Sequence, residues 1–264
     1  MSFFSLGPLQ LHYERTAAPD GRPALVFLHG MGSSSADWAW QVGTFAETHR
    51  VLTVDLRAHG QSSDPGDWFT VEQLAEDVAA LLAHLDEPPA HLIGLSLGGA
   101  TALALALQYP ARVRSLTAVN GFAKYIPASR GGMQRALRRT WLLLTAPMPA
   151  VAEFIAGGLF PAPEQKIFYK AAVASLSKNH RRTYWAAMRA VLRFDARPRL
   201  PDLRVPTLII AGENDGTVAL AAQMTLRQLI PGAQLLVIPH SGHATPYDQS
   251  EAFNRAVLEF VAAH

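Results

Sequence analysis

Six short apolar runs punctuate the chain: ALVFLHG (24–30), RVLTVDLR (50–57), HLIGLS (91–96), VRSLTAVNG (113–121), PTLIIAGEND (206–215) and AQLLVIPHS (233–241). Most are continuous rather than alternating. That is the pattern of strands buried on both faces, as in a parallel sheet. LQLHYER (9–15) alternates instead and predicts an antiparallel edge strand. Between the runs, apolar residues return at helical spacing. Val71, Leu74, Ala75, Val78, Leu81, Leu82 and Leu85 mark one helix, and Thr70 with Gln73 forms a capping-box pair at its start. Near the C-terminus Thr245 and Pro246 read as N-cap and first helical residue, followed by a buried face of Tyr247, Phe253, Val257 and Phe260. Strands alternating with helices predict an α/β fold with right-handed crossovers and a ligand site at the carboxyl ends of the strands.

The rhythm breaks between 121 and 200. This region has helical patterns, prolines that include Pro147, Pro149, Pro161 and Pro163, and no strand pattern. It predicts a helical insertion over the sheet, returning through VLRFDARPRLPDLRVP (191–206). The resulting division is 1–121 with 201–264 as the core, and 122–200 as a helical cap.

Composition narrows the class. With 49% apolar residues in 264, the chain can bury a large core. It has no cysteine, which excludes disulfides, thiolate metal sites and a cysteine nucleophile. No pair or trio of His and carboxylates has metal-binding spacing, so neither metal nor cofactor is expected. The N-terminus MSFFSLGPLQ lacks a basic stretch followed by an apolar run, and no apolar segment is long enough to span a bilayer. These features predict a cytoplasmic protein, a monomer or homodimer, that binds no nucleic acid.

Net charge is only +2, but it is unevenly spread. Residues 121–200 hold 14 Lys or Arg and 3 acids, a net +11, which leaves 9 basic and 18 acidic residues elsewhere, a net −9. Such a basic insertion favours an anionic or carrier-bound substrate by long-range attraction. Within it, WLLLTAPMPAVAEFIAGGLF (141–160) contains one charge, Glu153. Three readings fit that stretch: an acyl pocket under a lid, a membrane-touching surface, or packing of the lid on the sheet. The third demands least.

The chemistry starts at GLSLG (94–98), a G-x-S-x-G pattern at a strand-to-helix switch. A serine hydroxyl is a poor nucleophile without a base and an acid that orients the base. Asp215 ends the run IIAGEND, and His243 follows LLVIPHSG. Ser96, Asp215 and His243 all lie at carboxyl ends of predicted strands, so they should converge on one face. Glu213 and Asp202 compete with Asp215 as the acid, and His240 competes with His243 as the base. Glu213 lies within the strand end, Asp202 lies before it, and His240 directly follows the strand core, whereas His243 sits in the Gly-flanked loop that must reach Ser96. Attack on a carbonyl creates an oxyanion, for which the backbone N–H groups of Leu97 and Met31 are the candidate donors. Met31 lies in the loop HGMG (29–32) after the first apolar run. Substrate contacts are expected from Gly30, Gly32, Leu95, Phe122 and Trp141. His29 and His59 read as structural residues that bond loop backbone.

At this point the chain resembles the α/β-hydrolase family. The matching pieces are HGMG with Trp38 downstream, DLRAHGQS (55–62), GLSLGG (94–99), AGENDG (211–216) and SGHA (241–244) with EAFN (251–254). The resemblance implies a mostly parallel eight-stranded sheet flanked by helices, with a helical cap after the sixth strand. It also implies a serine esterase-like activity on a small-molecule ester. Serine at the elbow argues against members that use aspartate there, such as epoxide hydrolases and haloalkane dehalogenases. GGATALALALQYP resembles the elbow helix of carbon–carbon bond hydrolases. Those usually carry Asn before the nucleophile and Trp after the histidine, where this chain has Leu95 and Ala244. SLGG and GHATPYDQSEAF resemble pimeloyl-carrier methyl esterases. Enol-lactonase and perhydrolase or haloperoxidase activity use the same triad, and a non-catalytic receptor could use the same fold. The residues together favour hydrolysis of carboxylic esters with small to medium acyl groups.

Overall fold

Burial of alternate residues on both sides of the central strands organises this computed structural model, which describes residues 2–17, 22–127 and 129–264. Eight strands form one sheet: β1 (Ser2–Leu6), β2 (Leu9–Arg15), β3 (Leu25–Leu28), β4 (Val51–Val54), β5 (Ala90–Leu95), β6 (Val113–Val119), β7 (Thr207–Gly212) and β8 (Gln234–Ile238). Their order is β1-β2-β4-β3-β5-β6-β7-β8. β1 and β2 pair antiparallel, β2 joins β4 antiparallel, and β3 to β8 run parallel.

The period-2 rule explains the continuous apolar runs. In β3, Val26 and Leu28 enter one apolar cluster while Leu25 and Phe27 enter the other, and Leu92 and Ile93 of β5 divide in the same way. On the first face lie α2 (Val71–His84), α3 (Leu97–Gln108) and α8 (Leu220–Leu229), with Leu74, Leu103 and Leu226 buried. On the second lie α1 (Ala39–Ala46) and α10 (Ser250–Ala262), contributing Phe45, Phe253 and Val257. The Thr70–Gln73 capping box at α2 forms as its sequence predicts.

Two local expectations need correction. LQLHYER is antiparallel but not the edge, because β1 covers it through a hairpin whose turn residue Gly7 has φ +56°. β1 escapes a pattern reading since only Phe4 of its five residues is buried. Nor does Thr245 cap a single long helix. It is the first residue of the short α9 (Thr245–Asp248), and the chain breaks at Gln249 (φ −138°) before α10. The Thr245 hydroxyl is engaged elsewhere, with Ser241 Oγ and Asn120 Nδ2 each 2.8 Å away.

Four helices fill the stretch between β6 and β7: α4 (Arg130–Thr145), α5 (Met148–Leu159), α6 (Lys166–Leu176) and α7 (Arg181–Arg193). They have an apolar cluster of their own, in which Leu143, Val151, Ala152, Leu176, Tyr184 and Met188 are buried. The stretch 141–160 therefore packs inward through Leu143, Val151, Ala152 and Ala156, but Trp141 and Leu144 stay 61% and 62% exposed.

Candidate active site

The sheet order reverses at β3, which sits between β4 and β5. Crevices for ligands open at such a switch point, beyond the carboxyl ends of the strands. The loop after β3 is HGMG, and the residue after β5 is Ser96.

Ser96 adopts φ 55°, ψ −110°, a conformation that costs a non-glycine residue about 1–3 kcal/mol. Its neighbours hold it there. Ser96 N–H donates to Val119 O (2.9 Å), and Ser96 O accepts from Ala100 N (3.0 Å). The glycines around it are sterically required. A Cβ on Gly94 would lie 2.2 Å from Gly98 O, and one on Gly98 would lie 2.0 Å from Leu28 O. The elbow thus needs glycine so that β5, α3 and the end of β3 can touch. Ser96 remains only partly buried.

His243, on the loop after β8, is nearly buried and its Nδ1 lies 2.7 Å from Asp215 Oδ2. The other carboxyl oxygen, Oδ1, accepts from Thr217 N (2.7 Å) and Val218 N (2.9 Å). With Nδ1–H given to the aspartate, Nε2 is the lone-pair nitrogen available to a hydroxyl. No hydrogen bond joins Ser96 Oγ to His243 among the described residues. Such bonds are often long before substrate tightens them.

The loop after β3 runs beside the serine: a Cβ on Gly30 would be 3.9 Å from Ser96 Cβ. Leu97 is the first residue of α3, so helix geometry leaves its N–H without an intrahelical acceptor. Met31 N–H donates to no group among the described residues, and its side chain packs against both the sheet cluster and the cluster of the insertion. Gly32 sits directly under Tyr184 and Leu176, and its carbonyl accepts from Asn179 Nδ2 (2.7 Å). The insertion therefore grips the candidate oxyanion loop.

The DLRAHGQS segment braces that loop from behind. Asp55 accepts from Ser35 N (2.5 Å), Gln61 N (2.8 Å) and His12 Nδ1 (2.8 Å). Burial pushes its carboxyl group up, yet it sits below the ordinary carboxylate range, because the hydrogen bonds from Gln61 and Ser35 favour the charged form. His29 Nδ1 donates to Gly30 O (2.7 Å) while Nε2 accepts from Leu56 N (3.0 Å), and His59 Nδ1 donates to Arg57 O (2.8 Å). Both histidines bond loop backbone.

The remaining sequence-predicted contacts divide. Leu95 and Phe122 are buried, Leu95 in the core and Phe122 against Tyr125 and Phe194. Trp141 faces solvent on α4.

One residue was not singled out from sequence. Asn120 follows β6, is fully buried and has φ 45°. Its Oδ1 accepts from Gly212 N (2.8 Å) at the end of β7. Its Nδ2 lies 2.8 Å from both His243 O and Thr245 Oγ1. One amide thus joins the acid-bearing strand to the histidine loop. Asp248 reinforces that loop by accepting from Gly242 N (2.6 Å) and Ser241 Oγ (2.8 Å). The only local signal was a polar residue before glycine at a strand end.

Comparisons with known proteins agree with this architecture. The chain is 32% identical over 240 residues to 3-oxoadipate enol-lactonase 2 of Acinetobacter baylyi, covering 89% of this chain and 87% of that protein. It is 32% identical over 262 residues to the Variovorax paradoxus protein named "Putative carbamate hydrolase RutD", covering 96% and 97%. Among solved structures, the enol-lactonase of Burkholderia xenovorans LB400 matches with a TM-score of 0.90 at 27% identity, over 99% of this chain and 100% of that one. Residues 23–249 match the family described by the alpha/beta hydrolase fold. An eight-stranded sheet with its serine elbow at the switch point and a match across most of the length make this chain a member of the alpha/beta hydrolase family.

Proposed function

We propose that the protein is a serine hydrolase of carboxylic esters, using Ser96, His243 and Asp215 through an acyl-enzyme intermediate. The observation that carries this reading is the 2.7 Å His243–Asp215 contact, which lies beyond the carboxyl ends of the same parallel sheet whose β5 leads into the strained Ser96 elbow. His243 Nε2 removes the Ser96 proton as Oγ attacks the carbonyl carbon. The oxyanion is received by the N–H groups of Leu97 and Met31. His243 then gives its proton to the leaving alcohol, the C–O bond breaks, and Ser96 carries the acyl group. Water enters, His243 takes its proton, and hydroxide adds to the acyl carbon. Collapse returns the proton to Ser96 and releases the carboxylic acid. Asp215 fixes the imidazole tautomer and balances the imidazolium. No step requires a metal or cofactor. Residues 122–200 act as the cap of this site, a role supported by the Asn179–Gly32 bond.

Cyclic enol esters are the second reading, favoured by the two enol-lactonase matches. There the leaving hydroxyl stays tethered to the acyl-enzyme until water cleaves it. The absence of Asn before Ser96 and of Trp after His243 argues for esters over carbon–carbon substrates. A panel of p-nitrophenyl esters of graded chain length, enol lactones, carbamates and vinylogous diketones tests this. The expected result is turnover of esters or lactones, reduced about 10⁴-fold or more in Ser96→Ala. Turnover confined to carbamates or diketones, or undiminished in Ser96→Ala, contradicts it.

A further inference from the structure

Helix α4 has two apolar faces, and the described residues of this chain cover only one. Leu143 points into the cluster of Val151, Ala152, Leu176, Tyr184 and Met188. Met133, Leu137, Trp141 and Leu144 point outward and are 47%, 62%, 61% and 62% exposed. Spacings of four, four and three residues place these side chains in one arc of helix surface. Contiguous apolar surface of this kind usually meets a partner.

Charge identifies the partner. The exposed polar residues beside the arc include Arg130, Gln134 and Arg138, and α4 contains no acidic residue. The surrounding 121–200 region carries net +11, and one of its three acids, Asp195, is already paired with Lys124 and Arg197. A second copy docked through α4 would bring two such cationic regions together. A neutral apolar partner would leave the arginines without anions. A helix with Trp, Leu and Met on one arc and arginines at its margin suits the boundary between acyl chains and anionic headgroups.

We propose that the outward face of α4 docks on an anionic phospholipid surface. Leu137, Trp141, Leu144 and Met133 enter the headgroup–acyl boundary, and Arg130 and Arg138 meet lipid phosphates. This is peripheral binding, since no helix of the described residues is long and apolar enough to cross a membrane. The docking helix is braced to the candidate site, because Arg135 Nη2 donates to Gly216 O (2.6 Å), next to Asp215.

Flotation of the full chain with vesicles of phosphatidylcholine, with and without phosphatidylglycerol, tests the proposal. The protein should float with phosphatidylglycerol vesicles, stay behind with phosphatidylcholine alone, and release as salt is raised. Leu137→Glu with Leu144→Glu should weaken partitioning by about tenfold or more per substitution. The melting temperature and turnover of a water-soluble ester should be unchanged in that variant. Arg130→Gln with Arg138→Gln should weaken binding and flatten its salt dependence. Three results overturn the proposal: no flotation with phosphatidylglycerol vesicles, flotation unaffected by the glutamates, or a concentration-dependent dimer that the glutamates dissolve.

Discussion

Asn120 makes no bond to a reacting atom in the proposed mechanism, yet its amide contacts four groups on the β7 end and the histidine loop: Gly212 N, Gly242 O, His243 O and Thr245 Oγ1. Removing it leaves Gly212 N–H and His243 C=O unpaired in a dry setting, at about 1–3 kcal/mol each. Asn120→Leu should therefore lower stability by a few kcal/mol, measured by urea unfolding, and lower kcat while KM changes little. Asn120→Asp retains the acceptor for Gly212 N–H but loses the donor, so it should restore less than half of the lost kcat. Unchanged kcat in a folded Asn120→Leu variant would show that the amide only stabilises the fold. The triad candidates were legible in sequence because each ends or follows an apolar run. Asn120 was not, because its role depends on the register of β6 with β7 and on a loop more than 120 residues away. Nor could sequence reveal that Phe122 packs inward and Trp141 outward, since both are aromatic residues in an apolar setting.

Among the elements, the central strands were the most legible, because burial on both faces removes polar residues from them. β1 was hidden by its exposure, and the α9–α10 break by a side-chain network that takes Thr245 away from capping. β5 and the turn after β4 also carry a pH dependence. Burial, then Arg114, lowers the His91 imidazole to about 4; its Nδ1 lies 2.7 Å from Ser115 Oγ on β6. Burial lowers His59 to about 3. Both are neutral in the folded chain where the unfolded chain, with an ordinary value near 6.5, takes up protons. The unfolded state thus binds more protons below 6.5, and these two sites erode stability as pH falls from there toward 4. Each contributes a slope approaching 1.4 kcal/mol per pH unit, roughly. Urea midpoints across that range should fall with pH, and His91→Gln should reduce the slope by about one proton's worth. An unchanged slope in His91→Gln would show that His91 takes up its proton in the fold.

For the whole molecule, the division of charge and the break in rhythm at 121–200 were both legible, and four helices do occupy that stretch. Their contacts were not legible. The insertion holds the HGMG loop through Asn179 and Gly32, and it presents a second, uncovered apolar face on α4. Sheet order was likewise beyond pattern reading, because no local signal tells β5 to pair on the far side of β3. That order is what brings Ser96 beside Gly30, the placement on which the proposed role of Ser96 as an activated nucleophile rests. Reaction with a fluorophosphonate, followed by intact mass and peptide mapping, tests the claim most directly. One adduct per chain is expected on the peptide containing Ser96, absent in Ser96→Ala and formed far more slowly in His243→Gln. An adduct on another serine, or ester turnover that survives in Ser96→Ala, would contradict it.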